Sequence, residues 1–185
     1  MQRRRWLKLA LGTGASALAG GGAGALWLMG DAEPVAALPD VPSALAWIDR
    51  LSRVPAESTS SWSLAQMLEH AAQSVEYSLQ GYPQLNSSWF RASIGPLAFR
   101  AFARRGRMSH GTTEPIPGAP PLAADDVATA AQRLAQALLR FEATPPSSVF
   151  PPHFAYGALD KDDYRRAHLL HLADHAREVR FTDAG

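Results

Sequence analysis

The sequence contains no cysteine, and this absence limits the chemistry open to the chain. Without cysteine there are no disulfides and no thiolate ligands, so a bound metal must be held by histidine, carboxylate or water. A phosphate-binding glycine loop and a nucleophile elbow are also missing. The segment HLADH, which begins at His171, lacks the glutamate of the HExxH protease motif.

Strand patterns and excess charge are scarce as well. We find no sustained alternation of apolar and polar residues and few β-branched runs, so the sequence predicts no strands. The first thirty residues hold four basic residues and no acid, which leaves 14 basic against 17 acidic residues in the remainder. The body of the chain therefore has a net charge of −3, which does not indicate a nucleic-acid partner.

The N-terminal segment has the pattern of a twin-arginine export signal. The matching residues are Arg3, Arg4, Trp6, Leu7 and Lys8, followed by a weakly apolar stretch rich in glycine and alanine. The pattern predicts export to the periplasm with the twin-arginine translocase as partner, and an uncleaved membrane anchor is the alternative. We therefore expect a signal and linker over residues 1–37 and one domain over residues 38–185.

Helical periodicity predicts four principal helices, separated by loops rich in proline and glycine. They run from Ser43 to Pro55, from Ser61 or Ser63 to about Gln80, from Asp125 or Asp126 through Glu142, and from Asp160 or Asp162 to about Phe181. Residues 85–108 predict two shorter pieces broken at Gly95 and Pro96. This order favours an all-α fold, a four-helix bundle with long connecting loops.

Three of the six histidines lie within eight residues near the C-terminal end of the chain. His171 and His175 are one helical turn apart and project from one side, with His168 one turn earlier on that side. Tyr164 shares the same face. Two nitrogens on one helix hold a metal poorly, so a further ligand must come from elsewhere. Histidines that only form hydrogen bonds inside the bundle are the alternative.

The other three histidines are less clearly placed by the sequence. His70 lies beside the apolar stripe of its helix. Periodicity alone therefore allows two roles for it, a metal ligand or a residue at the boundary of the buried face. His153 lies in a loop from which it can reach the mouth of a site, and we expect His110, next to a glycine, to be solvated. Glu69 is adjacent to His70 but points about 100° away on a helix.

The chain resembles the DinB/YfiT-like superfamily, and in particular an uncharacterised branch of it. The pattern W-S-x-x-x-x-L-x-H is met by Trp62, Ser63, Leu68 and His70, and the late pattern H-x-x-x-H by His171 and His175. The stretches SVEYSLQGYPQL, GPLAFRAFARRGRMSHG and EPIPGAP are similar to that branch too. The resemblance covers about residues 43–182. Asp174 stands where relatives often carry a further histidine.

The resemblance implies a bundle of up-down-down-up topology that holds a divalent metal. By position the ligands would be His70, His171 and His175, and His168 lies outside this three-ligand pattern. Because His168 and Tyr164 share the face of the histidine pair, we expect them to be supporting or proton-transferring groups. Characterised relatives include thiol-dependent S-transferases, maleylpyruvate isomerase and proposed metal-dependent hydrolases. Because those thiol cofactors are cytoplasmic, export favours a hydrolase over a transferase.

These observations together predict an exported metal-dependent hydrolase or transferase with a three-histidine site. Zn²⁺, Ni²⁺ and Fe²⁺ all suit imidazole ligands. The substrate is expected to be a small molecule, and a homodimer is left open. The alternative is a non-catalytic periplasmic protein in which the metal, or the histidine cluster itself, is structural.

Overall fold

The computed structural model describes residues 37–123 and 126–182. The predicted export signal and nearly all of its linker, residues 1–36, lie outside the described residues. Within the part that is described, no helix is long and apolar enough to cross a lipid bilayer.

Helices make up most of the described domain. They are α1 (Val41–Arg53), α2 (Leu64–Gln80), α3 (Ser88–Ala92), α4 (Ile94–Arg105), α5 (Val127–Ala143) and α6 (Lys161–Ala176), and two short strands are β1 (Ala56–Ser58) and β2 (Val179–Phe181). This mostly helical content is consistent with the predicted all-α class, to which the two strands are a minor addition.

Side-chain caps determine where three of the long helices begin. Ser63 accepts a hydrogen bond from the N–H of Gln66, whose side chain accepts one from the N–H of Ser63, so the pair forms a capping box. Asp126 and Asp160 cap α5 and α6 in the same way, by accepting from a backbone N–H three residues on. These starts confirm the predicted ones and decide between the alternatives that the sequence left open.

Two predicted boundaries in the part of the domain before α5 are wrong. The first helix begins before Ser43, because Asp40 is its N-cap and accepts a hydrogen bond from the N–H of Ser43. The break between α3 and α4 lies at Ser93, whereas Gly95 and Pro96 belong to the first turn of α4. Proline is tolerated there because N–H groups in the first turn have no intrahelical partner.

The prediction that the chain forms no strands is also wrong. β1 and β2 pair antiparallel, with Ala56 opposite Phe181 and Ser58 opposite Val179. The last helix therefore ends at Ala176, earlier than the sequence predicted. Strands of three residues are too short for alternation to be recognised. Their pairing holds the α1–α2 connection against the chain segment that follows α6.

The core lies between α1, α2, α5 and α6. α5 packs against α2 and α1, and α6 packs against α2, α4 and α1. The most deeply buried large side chains include Leu68 of α2, Phe141 of α5 and Leu170 of α6. α6 is unusual because it also buries polar residues, including His168, Asp174 and His175. Polar groups are buried only where they have partners or a function, so α6 is the element on which to look for a site.

Candidate metal centre

Three histidines from two helices converge inside the domain. The Nε2 atom of His171 lies 3.1 Å from that of His70 and 3.0 Å from that of His175. His171 and His175 meet because they are one turn apart on α6. His70 reaches them from α2, which packs against α6. The structure thus brings together the three residues that the family resemblance singled out.

Burial keeps this cluster uncharged. It lowers the pKa of His70 to about 4, with a smaller contribution from the neighbouring His110. It lowers the pKa of His175 to about 3. The pKa of His171 is held well below its ordinary value by burial first and then by the surrounding histidines. At neutral pH the three rings are therefore neutral, which is the form that binds a metal.

His110 joins the cluster, contrary to the expectation that it is solvated. Its side chain is 25 % exposed, and its Nε2 is buried without a hydrogen-bond partner among the described residues. One nitrogen from each of His70, His110, His171 and His175 lies within 4.8 Å of the others. The sequence offered one signal for it, the length of the loop after α4, since long loops in compact domains are often functional.

Asp174 holds His110 in place. The Nδ1–H of His110 donates to a carboxylate oxygen of Asp174 over 2.9 Å. Because a carboxylate can only accept, Nδ1 of His110 carries a proton, and the neutral form of the ring has its lone pair on Nε2. Burial raises the pKa of Asp174, but hydrogen bonds from His110 and Arg177 outweigh this and hold it below the ordinary value. A carboxylate behind the imidazole is the usual support of a metal-binding histidine.

Tyr164 and His168 were predicted to stand behind the cluster, and the structure gives their polar atoms other partners. The hydroxyl of Tyr164 donates to the carbonyl of Pro151 over 2.7 Å. The Nε2 of His168 lies 3.1 Å from the hydroxyl of Ser78. Both contacts hold α6 to neighbouring parts of the domain. His168 also lines the cavity beside the cluster, whereas Tyr164 is fully buried.

A cavity of about 380 Å³ adjoins the cluster. Its wall includes His70, Ser74, Asn86, Met108, His110, Glu114, Ile116, His153, Phe154, Tyr156, His168 and His171. Cavities of this size hold small organic molecules. The wall is built by α2, α6 and the loops after α2, α4 and α5, so it combines parts of the chain that are far apart in sequence.

A family profile described as "Protein of unknown function (DUF1569)" matches residues 36–182. The chain belongs to this family. Neither a curated protein nor a solved structure matches the chain. The matched residues include all four clustered histidines and the cavity, so the candidate centre lies wholly inside the DUF1569 domain.

Two carboxylates near the histidine cluster of this DUF1569 domain differ in whether they can contact a molecule in the cavity. Glu69 accepts a hydrogen bond from Arg133 of α5 over 3.0 Å, which agrees with the prediction that it points away from His70. Glu114 is exposed and is the only carboxylate among the described residues that line the cavity. Glu114 is therefore better placed than Glu69 to meet a bound molecule, and the sequence analysis did not single it out.

His153 lies in the cavity wall and outside the cluster. Its backbone pairs with Gly157 across a tight turn. Gly157 has φ +81°, a conformation that side chains disfavour, and a Cβ there would lie 2.4 Å from the carbonyl oxygen of Arg91. A Cβ on Gly95 would lie 1.9 Å from the carbonyl oxygen of Ala155. The two glycines thus allow this turn to pack closely on α3 and α4.

Proposed function

We propose that this protein is an exported metal-binding member of the DinB/YfiT-like superfamily. In this proposal α1, α2, α5 and α6 are the four helices of the bundle, in up-down-down-up order. The packing of α5 on α1 and α2, and of α6 on α2, supports the arrangement. The order of the histidines, one on the second long helix and two on the last, supports it as well.

The convergence of the histidine nitrogens is the observation that carries the proposal. The Nε2 of a neutral imidazole has either one proton or one lone pair, so that of His171 can form a good hydrogen bond with only one of its two close neighbours. The buried Nε2 of His110 has no partner among the described residues. A shared cation removes both conflicts, because each nitrogen then contributes a lone pair.

The donor set fits a divalent transition metal. Neutral imidazoles without thiolates suit Zn²⁺, Ni²⁺ or Fe²⁺. A metal held in this way can acidify water or polarise a substrate oxygen. His70, His171 and His175 would hold it, Asp174 would orient His110, and the cavity wall would restrict bulk water. Glu114 is the wall residue suited to accept or donate a proton.

We place the reaction in the class of metal-dependent hydrolysis or group transfer on a small molecule. The adjoining cavity supports a reaction, since a site that only stabilises the fold has no need of space for a substrate. Export from the cytoplasm favours hydrolysis over transfer to a thiol cofactor.

A purely structural metal is the second candidate, and His110 is the observation in its favour. Structural zinc sites are closed by four protein ligands, whereas catalytic sites keep one position open. His110 offers a fourth nitrogen within 4.8 Å of the other three. The two candidates therefore differ in whether His110 is a permanent ligand.

Metal analysis of the full-length protein from its native host tests the proposal. We expect stoichiometric metal in the wild type and a loss of more than about tenfold in metal affinity for His70→Ala, His171→Ala or His175→Ala, because each removes a proposed ligand. His168→Gln is the matched control, since this histidine bonds Ser78 and should leave metal binding unchanged. Equal metal content in wild type and in a His171→Ala/His175→Ala double variant would show that the proposal is wrong.

His110→Ala separates the catalytic candidate from the structural one. If the site is catalytic, this variant keeps most of its metal, and azide changes the visible spectrum of the cobalt-substituted wild type by entering an open position. If His110→Ala loses its metal as fully as His70→Ala and azide leaves the wild-type spectrum unchanged, the structural candidate is correct.

A further inference from the structure

The proton of the His153 ring can be assigned from its contacts. Its Nδ1 accepts hydrogen bonds from the backbone N–H groups of Ala155 and Tyr156, at 3.1 and 3.2 Å. An atom that accepts carries a lone pair, so the ring proton must be on Nε2. His153 therefore has one remaining polar group, the Nε2–H, which can only donate.

The surroundings of His153 hold this ring rigidly and keep it neutral. The ring is stacked on Tyr156 with centroids 4.3 Å apart and on Phe154 with centroids 4.7 Å apart. Tyr82 packs against it at 4.9 Å. Burial lowers the pKa of His153 to about 3, with a smaller contribution from His168. The donor is thus preorganised, and the ring is uncharged at neutral pH.

The Nε2–H of His153 has no hydrogen-bond partner among the described residues, although the residue is only 7 % exposed. The ring forms part of the cavity wall. This Nε2 atom is not among the fully buried unpartnered polar atoms, so another group can reach it and accept from it. The cavity is the place from which an acceptor can come.

The charge of the cavity wall limits what the acceptor can be. No lysine or arginine is found among its described residues, and its one carboxylate is Glu114. Much of the remaining wall is apolar, including Met108, Ile116 and Phe154. Apart from the metal proposed for the histidine cluster, an anion would therefore meet no cationic group there and the one negative charge of Glu114. A neutral molecule with an oxygen acceptor and a mainly apolar body fits the side chains of this wall better.

We propose that the cavity binds a small uncharged acyl compound, an amide or ester, whose carbonyl oxygen accepts a hydrogen bond from His153 Nε2–H. This deepens the proposed function by naming the substrate class, and it rests on that function only for the reaction that follows binding. His153 is then the residue that positions the acyl group beside the histidine cluster. The contact itself does not depend on a metal.

Two substitutions separate the proposed binding role of His153 from its structural role in the turn between His153 and Gly157. Asparagine can place an acceptor where Nδ1 is, so His153→Asn keeps the bonds to the turn and removes the donor. Glutamine can place an N–H donor where Nε2 is, so His153→Gln keeps the donor and removes the bonds to the turn. Comparing the two variants therefore separates an effect on ligand binding from an effect on the stability of the fold.

The probe is benzamide, with benzoate as its charged counterpart, titrated calorimetrically into the full-length protein of measured metal content. We expect benzamide to bind the wild type more tightly than benzoate once a chelator has removed any metal, because benzoate could otherwise bind the metal itself. We expect His153→Asn to weaken benzamide binding about tenfold and, because the stacked ring is lost, to melt below the wild type but above His153→Gln. His153→Gln should melt at a lower temperature and retain most of the benzamide affinity.

Unchanged benzamide affinity in His153→Asn, or a preference of the metal-free protein for benzoate, would overturn the proposal. Should that variant fail to fold, long-range ¹H–¹⁵N spectra of the wild type decide. They must show the His153 proton on Nε2 and a shift of that resonance when benzamide is added, and a proton on Nδ1 would contradict the assignment. Metal content is measured separately, so an empty histidine cluster with intact benzamide binding would refute the metal proposal alone.

Discussion

At the scale of single residues, His168 is a buried histidine beside the histidine cluster whose Nε2 has a partner of its own. Its Nε2 lies 3.1 Å from the Ser78 hydroxyl, and its ring stacks on Tyr164 and meets Phe141 edge-on. Burial lowers its pKa to about 3. The ring therefore stays neutral in the folded protein under conditions in which the unfolded chain would protonate it.

This burial predicts an acid-dependent loss of stability. Because the folded pKa lies below the ordinary value of 6.5, the unfolded state binds the extra proton, and stability is complete above pH 6.5 and falls as the pH drops toward 3. His168→Gln can keep the bond to Ser78 but cannot titrate. We expect its free energy of unfolding to fall by about 2 kcal/mol less than that of the wild type between pH 7 and pH 5.

Urea denaturation at the two pH values measures this difference, with Ser78→Ala as the control that removes the hydrogen bond and leaves the titrating ring. Ser78→Ala should be less stable than the wild type at both pH values but should lose a similar amount on acidification. Parallel pH profiles for the wild type and His168→Gln would contradict the argument.

At the scale of elements, the start of α2 matters because this helix carries His70. The hydroxyl of Ser63 accepts from the N–H of Gln66 over 3.2 Å and closes the capping box. Six residues separate Ser63 from His70, and between them the helix is anchored by the buried Leu64 and Leu68. The cap thus stabilises the end of the helix more than the position of the histidine.

Ser63→Ala should lower the free energy of unfolding by about 1 kcal/mol and leave metal binding unchanged. Ser61→Ala is the control, because Ser61 is exposed, precedes the helix and does not cap it. Thermal or urea denaturation of both variants, with metal analysis alongside, measures the effect. An equal effect of the two substitutions on the free energy of unfolding would show that the Ser63 cap does not stabilise the helix.

The elements also show which features local sequence can reveal. The caps Ser63, Asp126 and Asp160 were predictable because a cap depends only on the residues of the following turn. β1 and β2 were not, because each is three residues long and exists only through its pairing with the other. The end of α6 was misplaced for the same reason, since β2 follows it.

At the scale of the whole molecule, the predicted export route affects where the folded domain would acquire its metal. The twin-arginine route carries folded proteins, so a metal can be inserted in the cytoplasm before the site meets competing ions outside. The motif residues lie outside the described part of the chain, and their role is a prediction from the sequence.

Replacing both Arg3 and Arg4 by lysine should abolish periplasmic accumulation of the protein, because the translocase recognises the arginine pair. Cell fractionation followed by immunoblotting measures the result. Arg5→Lys is the matched control, since position 5 falls where the motif accepts any residue. Normal accumulation of the double variant would refute the predicted route.

The sequence by itself determined the features that depend on neighbours a few residues away. These are the starts of α2, α5 and α6, the apolar stripes, the absence of thiolate ligands and the shared face of His171 and His175. His70 could be linked to that pair only through the family resemblance, because its helical position alone was ambiguous.

Only the tertiary structure decided which distant side chains meet. His70 and His171 are 101 residues apart in sequence, and His110 and Asp174 are 64 apart. The cavity and the unpartnered donor of His153 likewise arise where loops close over α2 and α6. No local pattern encodes such contacts, because they depend on how the helices pack and on the path of the loops between them.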